Sequence, residues 1–73
     1  MTKEELYTAI ENVNSRGVTI ANMIRNVEAT YTGNDLTAKL EEIKFMEVNN
    51  LLVGDYKAKE NVITLCDMID KNG

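Results

Sequence analysis

A series of apolar residues with alternating spacings of four and three runs through the first half of the chain and restricts its fold more than any other feature. The series consists of Leu6, Ile10, Val13, Gly17, Ile20, Ile24, Val27 and Tyr31. This spacing is typical of a long helix that packs along another helix. Because the phase continues across Gly17, it favours one helix over residues 3–31 with a kink at Gly17. The alternative is that one helix ends near Gly17 and that Ser15 or Thr19 starts the next.

A turn signal follows this helix. Gly33 suits a left-handed helix stop, and Asn34 or Asp35 suits the N-cap of the next helix. The second apolar series consists of Leu36, Leu40, Ile43, Leu51, Ala58, Val62, Leu65 and Ile69. It predicts one long helix over residues 35–71, with a stutter through Glu47. The alternative is a break at Gly54, after which Asp55 caps a final helix.

The sequence therefore predicts an all-α fold, with one domain over residues 1–73 that consists of a helical hairpin. No stretch between turn signals shows the period of two that indicates a strand. Helices of these lengths are rods of about 45 and 55 Å. Many apolar residues lie outside both series and would be exposed on such a hairpin, so we expect a homo-oligomeric bundle. These residues are Tyr7, Val18, Met23, Phe45, Met46, Val48, Leu52, Val53, Ile63, Cys66 and Met68.

The composition excludes several classes of function. The chain of 73 residues has no histidine and one cysteine, so it cannot form a catalytic system or zinc site that needs histidine. Its glycines are too scattered for a phosphate-binding loop. The net charge of −4 argues against binding to a DNA or RNA backbone. No apolar stretch approaches the roughly 20 residues of a membrane span. We expect a cytoplasmic, non-enzymatic protein without a catalytic residue, metal or cofactor.

Two polar groups are candidates for a ligand site. The first lies around Gly17 and contains Asn12, Asn14, Ser15, Arg16 and Thr19, and the second contains Tyr56, Lys57 and Lys59. An aromatic ring that stacks on a base, together with cations and hydroxyls that bind phosphate, is typical of nucleotide binding. The alternative is a solvated surface with an interfacial tyrosine. Several bases are also expected to pair with acids close to them in the sequence. These pairs are Arg25 with Glu28, and Lys57 and Lys59 with Glu60.

Residues 17–27 resemble a segment of the small phage helical-hairpin proteins that sequester the cyclic oligonucleotide signals of bacterial immunity, chiefly in CBASS and with relatives that act against Thoeris. A glycine opens the segment in both, a small residue matches Ala21, and the matching apolar positions are Ile20, Met23, Ile24 and Val27. A second amphipathic helix follows, with an apolar run similar to residues 62–65. In that family, a ligand-contacting lysine stands at the position of Asn14 and a threonine at that of Arg16, and Tyr7 is the candidate for its leading tyrosine.

The resemblance implies a symmetric oligomer that holds a nucleotide. We therefore expect a non-enzymatic phage-type protein that sequesters a cyclic or signalling nucleotide between subunits, in the host cytoplasm if it is viral. The predicted ligand-binding residues are Tyr7, Asn14, Arg16, Gly17, Thr19, Tyr56, Lys57 and Lys59. The alternative is a small helical adaptor or inhibitor that binds a host protein through an exposed apolar helix face.

Overall fold

The computed structural model describes residues 1–51 and 54–72, and within them it contains four helices and no strand. The helices are α1 (Lys3–Glu11), α2 (Ser15–Thr30), α3 (Gly33–Val48) and α4 (Tyr56–Asn72). The prediction of an all-α fold is confirmed. The prediction of a hairpin of two long helices is wrong, because each half of the chain forms two helices. The described chain accordingly measures 30 × 24 × 17 Å, and its longest dimension is shorter than either predicted rod.

The first half of the chain breaks between Glu11 and Ser15, so the favoured continuous helix over residues 3–31 is wrong. Asn14 has extended backbone and its side-chain oxygen accepts a hydrogen bond of 2.9 Å from the N–H of Gly17, which makes it the N-cap of α2. The two helices then pack side by side. A Cβ atom on Gly17 would lie 2.0 Å from the carbonyl oxygen of Ile10, so only glycine permits this close approach.

The predicted turn between α2 and α3 is present, but Gly33 is not the stop of α2. Helix α2 ends at Thr30 with an extended Tyr31 at its C-cap, and Gly33, with a φ of +57°, is the first residue of α3. Glycine adopts this left-handed conformation without the steric cost that other residues meet. The N-cap, however, is Thr32, with an extended backbone and no side-chain capping bond, instead of Asn34 or Asp35. The helix therefore begins slightly earlier than the sequence predicts.

The second half of the chain also breaks, which confirms the alternative at Gly54 over one helix across residues 35–71. Helix α3 ends at Val48, and Asn50 and Gly54 have left-handed backbone with φ values of 58° and 76°. Asp55 Oδ1 accepts a hydrogen bond of 3.1 Å from the N–H of Ala58, as a residue that caps α4 does. Two of the apolar residues outside the predicted series, Leu52 and Val53, lie outside the described residues.

Neighbouring helices run antiparallel. Tyr7 contacts Glu28 across α1 and α2, and Thr37 near the start of α3 contacts Asp70 near the end of α4. The start of α1, the end of α2, the start of α3 and the end of α4 all line one open cavity, which marks one end of the bundle. The starts of α2 and α4 therefore both lie at the opposite end.

The core contains most of both predicted apolar series. Its fully or nearly fully buried members are Leu6, Tyr7, Ile10, Ile20, Ala21, Ile24, Val27, Leu36, Leu40, Ile43, Ala58, Val62, Leu65, Cys66 and Ile69. Tyr7 and Cys66 lie outside the series but are buried, because helices on more than one side surround α1 and α4. Val13 and Leu51 belong to the series but are exposed, since each lies in a connection between helices. The stutter residue Glu47 is 0% exposed and lies within the same interior.

Candidate functional site

The two polar groups predicted from the sequence lie at the same end of the bundle. The first group occupies the start of α2 and the second the start of α4, and the antiparallel order of the helices places both starts at one end. We call this surface, made of residues 14–19 and 55–59, the basic end. The positive ends of two helix dipoles also lie here. Each of these two helix starts therefore favours an anion.

In the first group, Asn14 and Gly17 stabilise the fold, whereas the side chains of Arg16 and Thr19 face solvent. Asn14 and Gly17 are joined by the N-cap hydrogen bond, and Gly17 is buried against α1. Arg16 and Thr19 are exposed, and the Thr19 hydroxyl donates a hydrogen bond of 3.2 Å to the carbonyl oxygen of Ser15. The cationic group of this half of the basic end is therefore the guanidinium of Arg16.

The second group is the first turn of α4. The side chain of Tyr56 is 74% exposed, Lys57 is exposed and Lys59 is half-buried. Asp55 contributes the one carboxylate of this turn, and one of its oxygens accepts the N–H of Ala58. An exposed aromatic ring beside two ammonium groups can stack on a planar ligand and bind its charged substituents.

The bases of the chain divide into two sets. Lys3, Arg25, Lys39 and Lys44 form ion pairs. Among residues 1–51 and 54–72, the bases that form no ion pair are Arg16, Lys57, Lys59 and Lys71. Three of these bases belong to the basic end, and Lys71 lies at the other end of α4. The expected pairing of Lys57 and Lys59 with Glu60 is therefore wrong for the residues that the structure describes.

Tyr7 lies away from the basic end, in a polar network between α1 and α2. Its ring is 1% exposed, and its hydroxyl donates a hydrogen bond of 3.1 Å to Glu28 Oε1. Glu28 Oε2 accepts a second bond, of 2.6 Å, from the ammonium of Lys3. Burial, reinforced by the charge of Glu28, raises the pKa of the Tyr7 phenol well above 10. Tyr7 therefore remains a protonated hydrogen-bond donor within the fold.

Arg25 completes this network, in a way that the sequence did not indicate. Its guanidinium lies 4.4 Å from the centre of the Tyr7 ring and donates two hydrogen bonds, of 3.0 and 3.3 Å, to the Glu11 carboxylate. The expected pairing of Arg25 with Glu28 is wrong, because Glu28 pairs with Lys3 instead. Both ion pairs join α1 to α2, so helical spacing within one element could not predict them.

A second candidate surface lies on α3. Phe45 is 67% exposed and Val48 is 53% exposed, and they follow each other at helical spacing. Ala38, Glu41 and Glu42 precede them on the same side of α3 and, with Phe45 and Met46, surround a shallow depression that is open to solvent. We call the surface of Ala38, Glu41, Glu42, Phe45 and Val48 the α3 face. The sequence indicated Phe45 and Val48 as surplus apolar residues.

These features define the class of the molecule as a small antiparallel bundle of four helices. No protein-family model, curated protein or solved structure matches this chain. Within the described ranges, no helix is long and apolar enough to span a membrane. The same ranges contain no group of three or more histidine, cysteine, aspartate or glutamate side chains arranged to hold a metal ion.

Proposed function

We propose that this protein is a non-enzymatic binding protein of phage type, which sequesters a cyclic or signalling nucleotide between subunits of a homo-oligomer in the host cytoplasm. One observation carries the proposal: three bases without an ion pair in the described structure lie at the end of the bundle where α2 and α4 begin. The resemblance of residues 17–27 to the phage sponge proteins supports the same function.

The chemistry of the basic end suits a nucleotide. Phosphate oxygens accept charge-assisted hydrogen bonds from the guanidinium of Arg16 and the ammonium groups of Lys57 and Lys59. The exposed ring of Tyr56 offers a stacking surface for a base. Asn14 and Thr19 supply further polar groups at the rim. Two predicted ligand residues do not belong to this set. The ring and hydroxyl of Tyr7 are engaged within the fold, and Gly17 is buried against α1.

Sequestration also requires enclosure. The side chains of Arg16, Tyr56 and Lys57 are exposed, so one copy of the bundle covers a ligand from one side only. A second basic end placed opposite the first would double the number of cations and close the site. This is why the proposed function includes a homo-oligomer with the ligand between its subunits.

Calorimetry with a panel of cyclic dinucleotides, cyclic trinucleotides and adenosine-ribose nucleotides tests this function. Two variants are compared with the wild type: Arg16→Ala, and the double variant Lys57→Ala with Lys59→Ala. At least one of them should bind a nucleotide roughly ten- to a hundredfold more weakly, as expected when a charged hydrogen bond to phosphate is lost. Lys71→Ala is the matched control, because it removes an exposed base without an ion pair in the described structure from the opposite end. Its affinity should equal that of the wild type.

Light scattering on the same samples should give at least twice the 8.2 kDa mass of the chain. A wild type that binds no nucleotide of the panel refutes sequestration. Equal losses in all three variants, Lys71→Ala included, would indicate attraction by overall charge instead of a site at the basic end.

Binding of a host protein is a second candidate function, and the exposure of Phe45 and Val48 on α3 specifically favours it. Large apolar side chains that lie together on a surface are typical of sites for protein partners. This function needs no chemistry either, and it uses a surface that is distinct from the basic end.

A further inference from the structure

We infer that two copies of this chain exchange helix α1, and that the exchange places their basic ends opposite each other with the ligand between them. In this dimer, α1 of each chain leaves its place beside α2 and α4 of its own chain and fills the same place in the partner. The ligand between the two ends rests on the proposed function, whereas the exchange itself is measured without a nucleotide.

The connection between α1 and α2 is the hinge of this exchange. It consists of residues 12–14, whose two ends have helical and extended backbone, which any residue adopts. Among the described residues, left-handed backbone occurs at Gly33, Asn50 and Gly54, and none of these lies between α1 and α2. The hinge can therefore open without giving up a conformation that fixes the turn. A short hinge also favours exchange between two copies of a chain.

The contacts that hold α1 in place can reform between two chains. Leu6 and Ile10 are buried in the core, and the Lys3 ammonium lies 2.6 Å from Glu28 of α2. The Tyr7 hydroxyl donates its hydrogen bond to the same carboxylate. Because these contacts join α1 to other helices, they form equally well with the helices of a partner. The exchange therefore preserves them and changes the hinge.

Val13 gains burial when the hinge straightens. It is 37% exposed in the single chain, where it lies in the connection. Ile10, Val13 and Gly17 follow one another at spacings of three and four, so a straightened hinge places Val13 on the same side as its two buried neighbours. The partner covers that side in the dimer. Burial of this apolar side chain favours the dimer over two separate chains.

The exchange brings the two basic ends together, because α1 ends and α2 begins at the basic end. After the exchange, Glu11 lies at the basic end of the partner and Ser15 at that of its own chain. The chain from Glu11 to Ser15 spans at most about 14 Å, which limits the separation of the two ends at the hinge. Arg16, Lys57 and Lys59 of both copies then border one space. An anion in this space reduces the repulsion between the cations, so ligand binding and dimer formation stabilise each other.

Carbodiimide cross-linking of a mixture of isotopically heavy and light protein tests the exchange. Equal amounts are unfolded together in urea and refolded without a nucleotide. Carbodiimide joins a lysine amine to a carboxylate that it contacts, and mass spectrometry distinguishes cross-links within one chain from those between heavy and light chains. About half of the cross-links between Lys3 and Glu28 in the dimer should join heavy to light chains, because each α1 then lies on a partner chosen at random.

Lys44 and Asp67 are the matched control, because their charged groups lie 2.9 Å apart across α3 and α4, which remain in one chain. Their cross-links should stay within single chains. A variant with three glycines inserted between residues 12 and 13 has a longer hinge, which lets α1 return to its own chain. Its cross-links between heavy and light chains at Lys3 should be roughly tenfold fewer than those of the wild type. Circular dichroism establishes that the variant is folded.

Each result decides the inference. Cross-links of Lys3 that stay within single chains would overturn it, even in a dimer, because another surface would then join the copies. Cross-links between heavy and light chains at both Lys3 and Lys44 would overturn it too, since they indicate contacts that do not depend on α1. The same holds if the variant with the longer hinge exchanges as much as the wild type. Exchange without nucleotide binding in calorimetry would refute the proposed function alone, and binding without exchange would refute the inference alone.

Discussion

The substitution Gly17→Ala distinguishes the broken first half of the chain from one continuous helix, because the two architectures predict opposite signs. Within a continuous helix, replacing glycine by alanine stabilises the fold by about 0.5–1 kcal/mol, since alanine loses less backbone entropy. In the structure, the added Cβ would lie 2.0 Å from the carbonyl oxygen of Ile10 and 3.1 Å from its carbonyl carbon. Alanine at this position should therefore destabilise the protein.

The size of this destabilisation depends on which atoms must move to relieve the contact with the added Cβ. The blocking oxygen belongs to the backbone of α1, so no side-chain rotation can relieve the contact. Helix α1 must shift, and this shift disturbs the packing of Leu6 and Ile10, which are 2% and 0% exposed. Overfilling a packed interface costs about 1–3 kcal/mol. After the gain in helix propensity, a net loss of up to about 2.5 kcal/mol remains, which lowers the melting temperature of a domain this small by up to roughly 20 °C.

Urea and thermal unfolding followed by circular dichroism measure this loss directly. Val18→Ala is the control on the same helix, since Val18 is 42% exposed, and its stability should lie within about 0.5 kcal/mol of the wild type. A Gly17→Ala variant that is as stable as the wild type, or more stable, would refute the close packing of α1 against α2. It would favour the continuous helix instead.

Two further predictions concern buried groups. Because burial and Glu28 raise the pKa of Tyr7 above its ordinary value of 10.0, the unfolded chain releases this proton first, and the free energy of unfolding should fall as the pH rises above 10. Urea melts of the wild type and Tyr7→Phe between about pH 9 and pH 11 should show a steeper fall in the wild type, and parallel curves would contradict the burial of the phenol. Burial also raises the pKa of the Cys66 thiol to about 12, so a thiol reagent at neutral pH should label Cys66 only in denaturant. Labelling of the native protein at the rate of a free thiol would show that α4 opens or that Cys66 is accessible.

The sequence predicted which residues are buried better than it predicted the path of the backbone. The spacing of apolar residues indicates which side chains are buried. This spacing is the same for one long helix and for two helices packed side by side. The connection at 12–14 is short enough to leave the phase undisturbed. The signal that could have revealed the break is Asn14, whose side chain caps α2 by accepting the N–H of Gly17 three residues later.

The ion pairs between α1 and α2 could not be predicted from the sequence, because they join residues on different helices. Rules based on helical spacing find partners within one helix, whereas Arg25 pairs with Glu11 and Lys3 with Glu28 across an interface. The exposed residues were simpler to predict. Arg16 and Lys57 were candidates because of their local sequence, and both are exposed in the structure.

The number of helices changes what these residues can do. In a hairpin of two long helices, the groups around Gly17 and Tyr56 would occupy the middle of each rod. In the observed bundle each group opens a helix, and the alternating direction of the helices brings both to one end. Four helices also bury apolar residues that a two-helix hairpin would expose, since Tyr7 and Cys66 are buried within a single chain. This weakens the argument that an oligomer is needed to cover them. Enclosure of the ligand, rather than burial of surplus apolar surface, is therefore what requires a second subunit in the proposed function.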